Sequence, residues 1–275
     1  MNALLHELRK APLTAKFGCI VVLFYIFVAV FAPVLAPFGE SEVVGYEYEP
    51  GSTLNWLGTD SLGRDMATRM IYGARNTIGI ALVTTLIAFA VGSAAGFFAA
   101  VLQGWVDQVL SRAVDVVISI PTLIFALLLL TIFGASVTSL IGVIALIYAT
   151  FVYRIARAVA MGVVVMDYVE AAQVRGEGLW WIMRKEILPN AAPPLVAEFG
   201  LRFCFVFLTI SGLSFLGLGI QPPAADWGSM VRENASLITF GDLTPLIPAA
   251  AIGLLTVAVN FIVDWMLHRA SGLKT

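Results

Sequence analysis

The chain contains uncharged or nearly uncharged runs about as long as a lipid bilayer is thick, and these runs constrain its fold more than any other feature. An α-helix crosses a hydrocarbon core of about 30 Å with roughly 20 apolar residues. Lipid offers no partner to backbone N–H and C=O groups, so uniformly apolar runs of this length must be helical. The runs predict six spans, at 17–36, 76–102, 118–132, 140–153, 199–218 and 246–267.

Composition excludes a soluble protein. Hydrophobic residues make up 60% and charged residues 12% of the 275 residues, whereas soluble domains carry about 25% charged residues. We therefore predict an all-α membrane protein with one transmembrane domain, 17–275, after a polar N-terminal segment, 1–16. The net charge of −2 argues against a nucleic-acid partner.

The distribution of basic residues predicts the orientation in the membrane. Cytoplasmic loops carry an excess of Lys and Arg. With a cytoplasmic N-terminus, twelve of the 16 basic residues lie inside the cell, and the other four, Arg64, Arg69, Arg75 and Arg232, lie outside. This bias predicts that both termini are cytoplasmic.

Three connections are long enough to hold structure: the outer loops 39–75 and 219–245, and the cytoplasmic loop 154–198. The first outer loop begins with four glutamates, and the second is rich in proline, glycine and aromatic residues. By contrast, only a few residues separate the third and fourth spans, which predicts a tight helical hairpin. The small residues at 92–96, Gly-Ser-Ala-Ala-Gly, predict a close helix–helix contact.

The first outer loop is predicted to contain a short amphipathic helix from about Asp60. Asp60 and Arg64, and likewise Asp65 and Arg69, have the i,i+4 spacing of helical ion pairs. Each such pair is worth a few tenths of a kcal/mol.

The cytoplasmic loop is the most informative part of the chain. Asp167 and Glu170 have the spacing of a capping box, with Asp167 as the N-cap of a short helix. Gly176 and Gly178 interrupt this helix. A second amphipathic helix is predicted to end near Pro189, because proline cannot continue the hydrogen-bond ladder.

The length of this loop indicates a docking element. A connection between two spans needs only a few residues, so about 40 residues of helix require another explanation. Ala171 and Ala172 would let the groove of another protein approach the backbone closely. The alternative is an amphipathic helix that lies on the lipid surface, and the pattern alone leaves both possibilities open.

The same loop carries a family resemblance. The sequence Glu170-Ala171-Ala172, followed by Gly176 and by Ile-Leu-Pro-Asn at 187–190, resembles the EAA signature of ABC-importer permeases. In that family this loop is the coupling helix, which sits in a cleft of the cytoplasmic ATPase.

Two further stretches narrow the resemblance. Residues 57–65, LGTDSLGRD, with 72–75, resemble the first periplasmic loop of the dipeptide/oligopeptide/nickel subgroup. Residues 213–223 and 226–228 resemble the end of the fifth span and the second outer loop of that subgroup. The likeness covers nearly the whole chain and is most specific to the C-type permease of a pair.

The resemblance implies a type I ABC-importer permease fold: six transmembrane helices, a cytoplasmic coupling helix and a short periplasmic amphipathic helix. It implies a bacterial inner-membrane protein that is no enzyme and binds no cofactor, since ATP and Mg²⁺ are used by partner subunits. The implied partners are a second homologous permease, two cytoplasmic ATPases and a periplasmic solute-binding protein, in a lipid membrane. The residues implied in ATPase coupling are Asp167, Glu170, Ala171, Ala172, Gly176, Ile187, Leu188 and Pro189.

Among these, Glu170 is expected either to pair with a basic residue of the ATPase or only to cap its own helix. The implied solutes are di- or oligopeptides, with nickel chelates and glutathione-like or opine-like solutes as alternatives. Two departures from the subgroup's sequence limit how far its known solutes can be assigned to this chain. Glu186 stands where the subgroup often has His, and Ile-Ser-Gly at 210–212 replaces a common Glu-Ala pair near the pathway.

Four other residues are candidates for pathway or periplasmic contacts: Arg202, Ser214, Asp226 and Trp227. Arg202 lies early in the predicted fifth span, so its side chain is expected to reach the cytoplasmic interface or, less simply, to face a polar cavity. Trp227 is expected either to contact a binding protein or to belong to the interfacial aromatic belt.

The sequence also argues against catalytic classes. It contains no phosphate-binding loop of the form G-x-x-x-x-G-K-[ST]. Its two histidines, His6 and His268, lie at opposite ends, which excludes a His-ligated zinc peptidase and predicts no metal site. The rival transport class is an ion-gradient-driven secondary transporter, which requires ionisable residues at mid-span. The predicted span centres are almost free of charge.

Overall fold

The computed structural model describes residues 11–270, and the regular secondary structure in this range is helical apart from two isolated β-bridges. Most of the predicted N-terminal segment 1–16, with His6, lies outside the described residues. The α-helices in this range are α1 Leu13–Leu35, α2 Met66–Leu102, α3 Gly104–Ile118, α4 Thr122–Phe133, α5 Val137–Val164, α6 Asp167–Val174, α7 Leu179–Ile182, α8 Leu188–Phe215, α9 Trp227–Asn234 and α10 Leu246–Ala270. A π-helical turn, Met183–Ile187, joins α7 to α8, and a 3-10 helix, Ala235–Phe240, follows α9.

Five helices of the described chain are long and apolar enough to cross a membrane, and the count reaches six if α3 and α4 form one broken span. The five are α1, α2, α5, α10 and the continuous unit Leu179–Phe215. The prediction of an all-α membrane fold is confirmed.

The third span differs from its prediction. Helices α3 and α4 are bent by 91° relative to each other, so 118–132 is not one straight helix. The break lies at Pro121, which has no N–H to donate, and α4 begins at the next residue. With 12 residues, α4 is only about 18 Å long.

The fourth span is longer than predicted because two arginines inside it find acidic partners on α3. Arg154 donates from Nη2 to the Asp115 carboxylate at 2.6 Å. Arg157 forms a two-pronged ion pair with Asp107. Neutralised in this way, both arginines lie within α5 instead of ending it.

Helices α2 and α5 approach closely through the predicted small-residue face. A Cβ atom at Gly92 would lie 2.5 Å from the carbonyl oxygen of Ala149. A Cβ atom at Gly96 would lie 2.8 Å from the carbonyl oxygen of Tyr153. Both distances are far below van der Waals contact, so the predicted close approach is confirmed.

The first outer loop, 36–65, contains no helix, so the amphipathic helix predicted from Asp60 is wrong. The Asp60 carboxylate accepts hydrogen bonds from the N–H groups of Leu62 and Arg64 at 2.9 and 3.0 Å. These bonds hold a turn in which Gly63 has φ +72°. The local hydrogen bonds of an Asp side chain compete here with helix formation.

Helix α2 begins at the end of this turn. Asp65 is its N-cap and accepts a hydrogen bond from the N–H of Thr68 at 2.7 Å. The carboxylate of Asp65 therefore caps the helix and is not the ion-pair partner of Arg69. A short amphipathic helix lies instead in the second loop, as α9.

Candidate functional site

Helix α6 carries the EAA residues immediately after α5. Its N-cap is Met166, whose carbonyl accepts from the N–H groups of Val169 at 2.8 Å and Glu170 at 3.3 Å. No side chain caps the helix, so the predicted capping box at Asp167 is wrong. The carboxylates of Asp167 and Glu170 still lie in the first turn, where the helix dipole favours negative charge.

Gly176 ends α6 in the way the sequence predicted. Its φ of +82° is in the left-handed region, and its N–H donates to the carbonyl of Gln173 at 2.9 Å. The N–H of Glu177 donates to the carbonyl of Ala172 at 3.1 Å. These two bonds form a Schellman C-cap, a motif that favours glycine at the left-handed position.

The two alanines of the EAA sequence lie on different faces of α6. Ala172 is fully buried, together with Val169, against the end of the helix bundle. Ala171 and Glu170 are exposed. The prediction that both alanines form one small docking face is therefore wrong: Ala172 anchors the helix, and only Ala171 is exposed.

The helix predicted to end near Pro189 continues through it. The N–H of Leu188 donates to the carbonyl of Met183, five residues earlier, which is π-helical bonding. Pro189 is the second residue of α8, so its missing N–H falls where the hydrogen-bond ladder changes from π-helical to α-helical spacing. The side chain of Asn190 donates to the carbonyl of Glu186 at 2.6 Å and satisfies it. Ile187 is buried, whereas Leu188 and Pro189 are exposed.

We call the exposed side of the segment that runs from α6 to the start of α8 the coupling surface; it includes Glu170, Val174 and Trp180. It is unusually apolar, with Val165, Val174 and Trp180 exposed to 75%, 83% and 69%. Glu170 adds a carboxylate that has no ion-pair partner within 4 Å among residues 11–270. Exposed apolar side chains beside an unpaired charge are typical of a protein-binding site.

Three candidate residues, Ser214, Asp226 and Trp227, meet in one buried cluster at the other end of the bundle. Asp226 is the N-cap of α9 and accepts from the N–H of Ser229 at 2.8 Å. The hydroxyl of Thr77 also donates to its carboxylate at 2.9 Å, whereas the hydroxyl of Ser214 accepts from the N–H of Ile220 at 3.1 Å. Burial raises the pKa of Asp226, although the hydrogen bonds to its carboxylate act in the opposite direction.

Trp227 is 2% exposed. Its indole N–H donates to the carbonyl of Met70 at 3.0 Å, and its ring lies edge-on to those of Tyr25 and Phe207. The ring therefore packs inside the bundle. It has almost no exposed surface with which to contact lipid headgroups, as in an interfacial aromatic belt, or a solute-binding protein.

A buried ion cluster joins the two outer loops. The carboxylate of Asp60 pairs with Arg64 at 2.8 Å and with Arg69 at 2.6 Å. Glu233, on α9, lies 3.3 Å from each of the same two arginines. Burial raises the pKa of Glu233, and the adjacent Arg64 opposes that shift. The cluster holds the second loop against the first.

The charge of Arg202 is neutralised within its own helix. Its Nε donates to the carboxylate of Glu198, one helical turn earlier. Its guanidinium carbon lies 5.1 Å from the ring centroid of Phe151 and 5.5 Å from that of Phe205. The arginine is held among aromatic rings by an acid that the sequence reasoning overlooked, although the i,i+4 spacing was visible.

Sequence reasoning also missed Glu40, which ties the first loop to the second. Its carboxylate accepts from the side chain of Asn76 at 2.7 Å and from the N–H of Ala225 at 2.5 Å. The partners of Glu40 lie 36 and 185 residues away, so no local pattern could have indicated them.

Residues 92–270 match the model of one protein family, described as "Binding-protein-dependent transport system inner membrane component". The chain belongs to this family. The resemblance drawn from the EAA sequence and the loop sequences is thereby confirmed, and the chain is a permease of the ABC-importer class.

Curated relatives agree with the family. The permease is 33% identical over 262 residues to the "Probable D,D-dipeptide transport system permease protein DdpC" of Escherichia coli K12, covering 95% of this chain and 88% of the relative. It is 32% identical to the "Di/tripeptide transport system permease protein DppC" of Pseudomonas aeruginosa, covering 90% and 84%. It is 30% identical to the "Glutathione transport system permease protein GsiD" of Pectobacterium atrosepticum, covering 88% and 81%.

A solved structure supports the fold. The crystal structure of an amino acid ABC transporter with histidines matches with a TM-score of 0.52 and 23% identity, covering 74% of the permease and 94% of that chain. At this identity the match carries the fold alone, which is that of an ABC-transporter membrane subunit.

Proposed function

We propose that the permease belongs to an ATP-driven importer of di- or oligopeptides. The support for this class of solute is that relatives along most of the chain are named for D,D-dipeptides and for di- and tripeptides. Glutathione, named in a third relative, is itself a peptide-like solute. A zwitterionic solute with peptide bonds is common to all three.

The coupling surface is the proposed binding site for a cytoplasmic ATPase. The observation that carries this proposal is the division of α6 into two faces. Val169 and Ala172 are buried in the bundle, so a force applied to α6 is transmitted to α2 and α5. Glu170 and Val174 remain exposed for a partner. We assign Glu170 a basic partner on the ATPase, because its carboxylate is exposed and has no ion-pair partner among residues 11–270.

The bundle supplies the mechanical half of the transport cycle. A second, homologous permease would complete the path, and each permease would bind one ATPase. Closure of the two ATPases would bring the two coupling surfaces together and favour one of two packings of the bundle, and hydrolysis would restore the other. The excess of basic residues at the coupling end supports a cytoplasmic position for that end and for both termini. A periplasmic binding protein would then deliver solute to the outer loops.

The proposal is tested by reconstituting the permease, its partner permease and the ATPases in liposomes. The solute-binding protein is added on the side from which solute is taken up. Glu170→Lys reverses the charge of the coupling surface, and Gly176→Pro removes both the left-handed φ of +82° and the C-cap hydrogen bond. We expect each variant to lower ATP-dependent uptake of a radiolabelled dipeptide at least about tenfold, which corresponds to roughly 1.4 kcal/mol.

Two matched controls separate coupling from folding. Glu47→Lys makes the same charge reversal on an exposed residue of the first loop, and it should leave copurification of the ATPase unchanged. Gly178→Pro makes the same substitution where φ is already −75°, and it should keep uptake near the wild-type rate. The proposal fails if uptake runs without ATP, or if Glu170→Lys and Gly176→Pro transport as well as these controls.

A further inference from the structure

Helix α8 carries a polar and aromatic stripe that the coupling mechanism does not use. Glu198, Arg202, Phe205 and Thr209 recur at spacings of four, three and four residues, so they lie along one side of the helix. We call these four residues, with Tyr148 and Phe151 of α5, the mid-depth stripe.

The stripe lies at the middle of the bundle. Arg202 is the fifteenth of the 28 residues of α8, and Phe151, over which its guanidinium lies, is the fifteenth of the 28 residues of α5. Phe199, beside the ion pair, lies with its ring centroid 5.1 Å from that of Phe89 in the apolar part of α2. Arg202 therefore lies about four helical turns from either end of α8.

The polar groups of the stripe are organised by hydrogen bonds. Arg202 is bonded to Glu198 and lies between two aromatic rings. The Tyr148 hydroxyl lies 2.6 Å from the hydroxyl of Thr209 and 3.2 Å from the carbonyl oxygen of Phe205. Charged groups, hydroxyls and aromatic faces thus meet within about three turns of α8.

The stripe is not sealed inside the chain. The side chains of Arg202 and Glu198 remain 17% and 10% exposed, and Phe205 is 51% exposed. Ionisable residues at mid-membrane are costly against lipid, and they face a polar cavity or a solute path. The exposed side chains of α10 differ, since Leu254 and Val257 are apolar and suit a lipid contact.

We propose that the mid-depth stripe is a contact site for the charged termini of a zwitterionic solute on its way through the permease. This inference rests on the proposed function and names the residues that would contact the solute. A planar guanidinium binds a carboxylate through two parallel hydrogen bonds, so Arg202 receives the carboxylate of the solute. Glu198 receives its ammonium, and the rings of Phe151 and Phe205 receive apolar side chains. Without solute, Arg202 and Glu198 neutralise each other.

The first test asks whether the stripe faces water or lipid. In a background with Cys19 and Cys204 replaced by alanine, Thr209→Cys is compared with Leu254→Cys. The two sites lie at similar depth, because α8 and α10 run in opposite directions and Cys204 contacts the backbone of Thr256. We expect a charged methanethiosulfonate reagent to modify Thr209→Cys at least tenfold faster than Leu254→Cys. Equal rates in every nucleotide state would overturn the inference.

The second test separates solute contact from a structural ion pair. ATP-dependent uptake of radiolabelled dialanine is measured for Arg202→Gln, Arg202→Lys and the exchanged pair Glu198→Arg with Arg202→Glu. We expect at least a tenfold loss for Arg202→Gln, a smaller loss for Arg202→Lys, and no recovery in the exchanged pair. Arg154→Gln, which removes one half of an exposed ion pair, serves as the control and should change uptake less than twofold.

The outcomes are distinguishable from failure of the proposed function. If the exchanged pair restores uptake, the ion pair is structural and the inference is wrong, while the peptide importer stands. If Arg202→Gln transports within twofold of the wild type, the inference is wrong as well. If the wild type imports no dialanine with ATP, the proposed function itself is contradicted.

Discussion

Replacing Gly92 with alanine tests the helix contact on which the bundle depends. The added Cβ would lie 2.5 Å from the carbonyl oxygen of Ala149 and 2.7 Å from the Cβ of Val152. Neither neighbour can yield alone, because one belongs to the backbone of α5 and the other is a buried β-branched side chain. Helices α2 and α5 must therefore move apart.

The magnitude follows from two opposing effects. Overpacking of this kind costs about 1–3 kcal/mol, and the change from glycine to alanine inside a helix gains about 1 kcal/mol. Gly79 lies on the same helix, and a Cβ there meets nothing within 4 Å. Gly79→Ala therefore shares the gain without the cost, so the two variants should differ by about 1–3 kcal/mol.

Thermal unfolding of the purified permease in one detergent measures this difference. Since 1 kcal/mol shifts the Tm of a protein of this size by about 2–4 °C, Gly92→Ala should unfold about 2 to 12 °C below Gly79→Ala. An equal or higher Tm for Gly92→Ala would refute the close α2–α5 contact.

Two further predictions concern Trp227 and Asp226, at the end of the bundle that carries the outer loops. Trp227→Ala removes a buried indole and should cost about 3–5 kcal/mol, whereas Trp56→Ala, at a side chain 80% exposed, should change stability by no more than about 0.5 kcal/mol; similar Tm losses for both would contradict the buried position of Trp227. Burial raises the pKa of Asp226 above its ordinary 3.8, so the folded protein retains a proton that the unfolded chain has lost. The stability of the wild type relative to Asp226→Asn should therefore fall as pH rises above 3.8, and a difference in Tm that stays constant or increases with pH would contradict this.

The spans and the exposed coupling segment were predictable because their signals are local. Runs of apolar residues report the thickness of the bilayer directly, and Gly92 and Gly96 share one helix face by their spacing alone. Gly176 was predictable for the same reason, since a helix that must end in a left-handed residue favours glycine.

The start of α2 was not predictable, because its partners are distant in sequence. Residues 66–75 contain arginines and lack the apolar character of a span. They are nevertheless helical, because Arg69 is neutralised by Asp60 and by Glu233, and Glu233 lies 169 residues from Arg64 in the same cluster. The position of Arg202 in its helix was misjudged for a related reason: α8 begins eleven residues before the predicted span, so Arg202 lies at the middle of the helix and not near its start.

Proline misled the prediction at the other end of α8. Pro189 indicated a helix end, but a π-helical turn ahead of it, Met183–Ile187, places it where the hydrogen-bond ladder changes spacing. The division of Ala171 and Ala172 between two faces likewise depends on how α6 packs on the bundle, and no spacing rule distinguishes two adjacent alanines.

The most direct test of the central claim is photo-crosslinking of the assembled transporter at the coupling surface. A benzophenone side chain is placed at Val174, which is 83% exposed, and separately at Leu54 of the first loop, which is 78% exposed. We expect benzophenone at Val174 to capture the ATPase subunit and benzophenone at Leu54 not to capture it. Capture of the ATPase at Leu54, or its absence at Val174 in a transporter that hydrolyses ATP, would contradict the assignment of this segment to energy coupling.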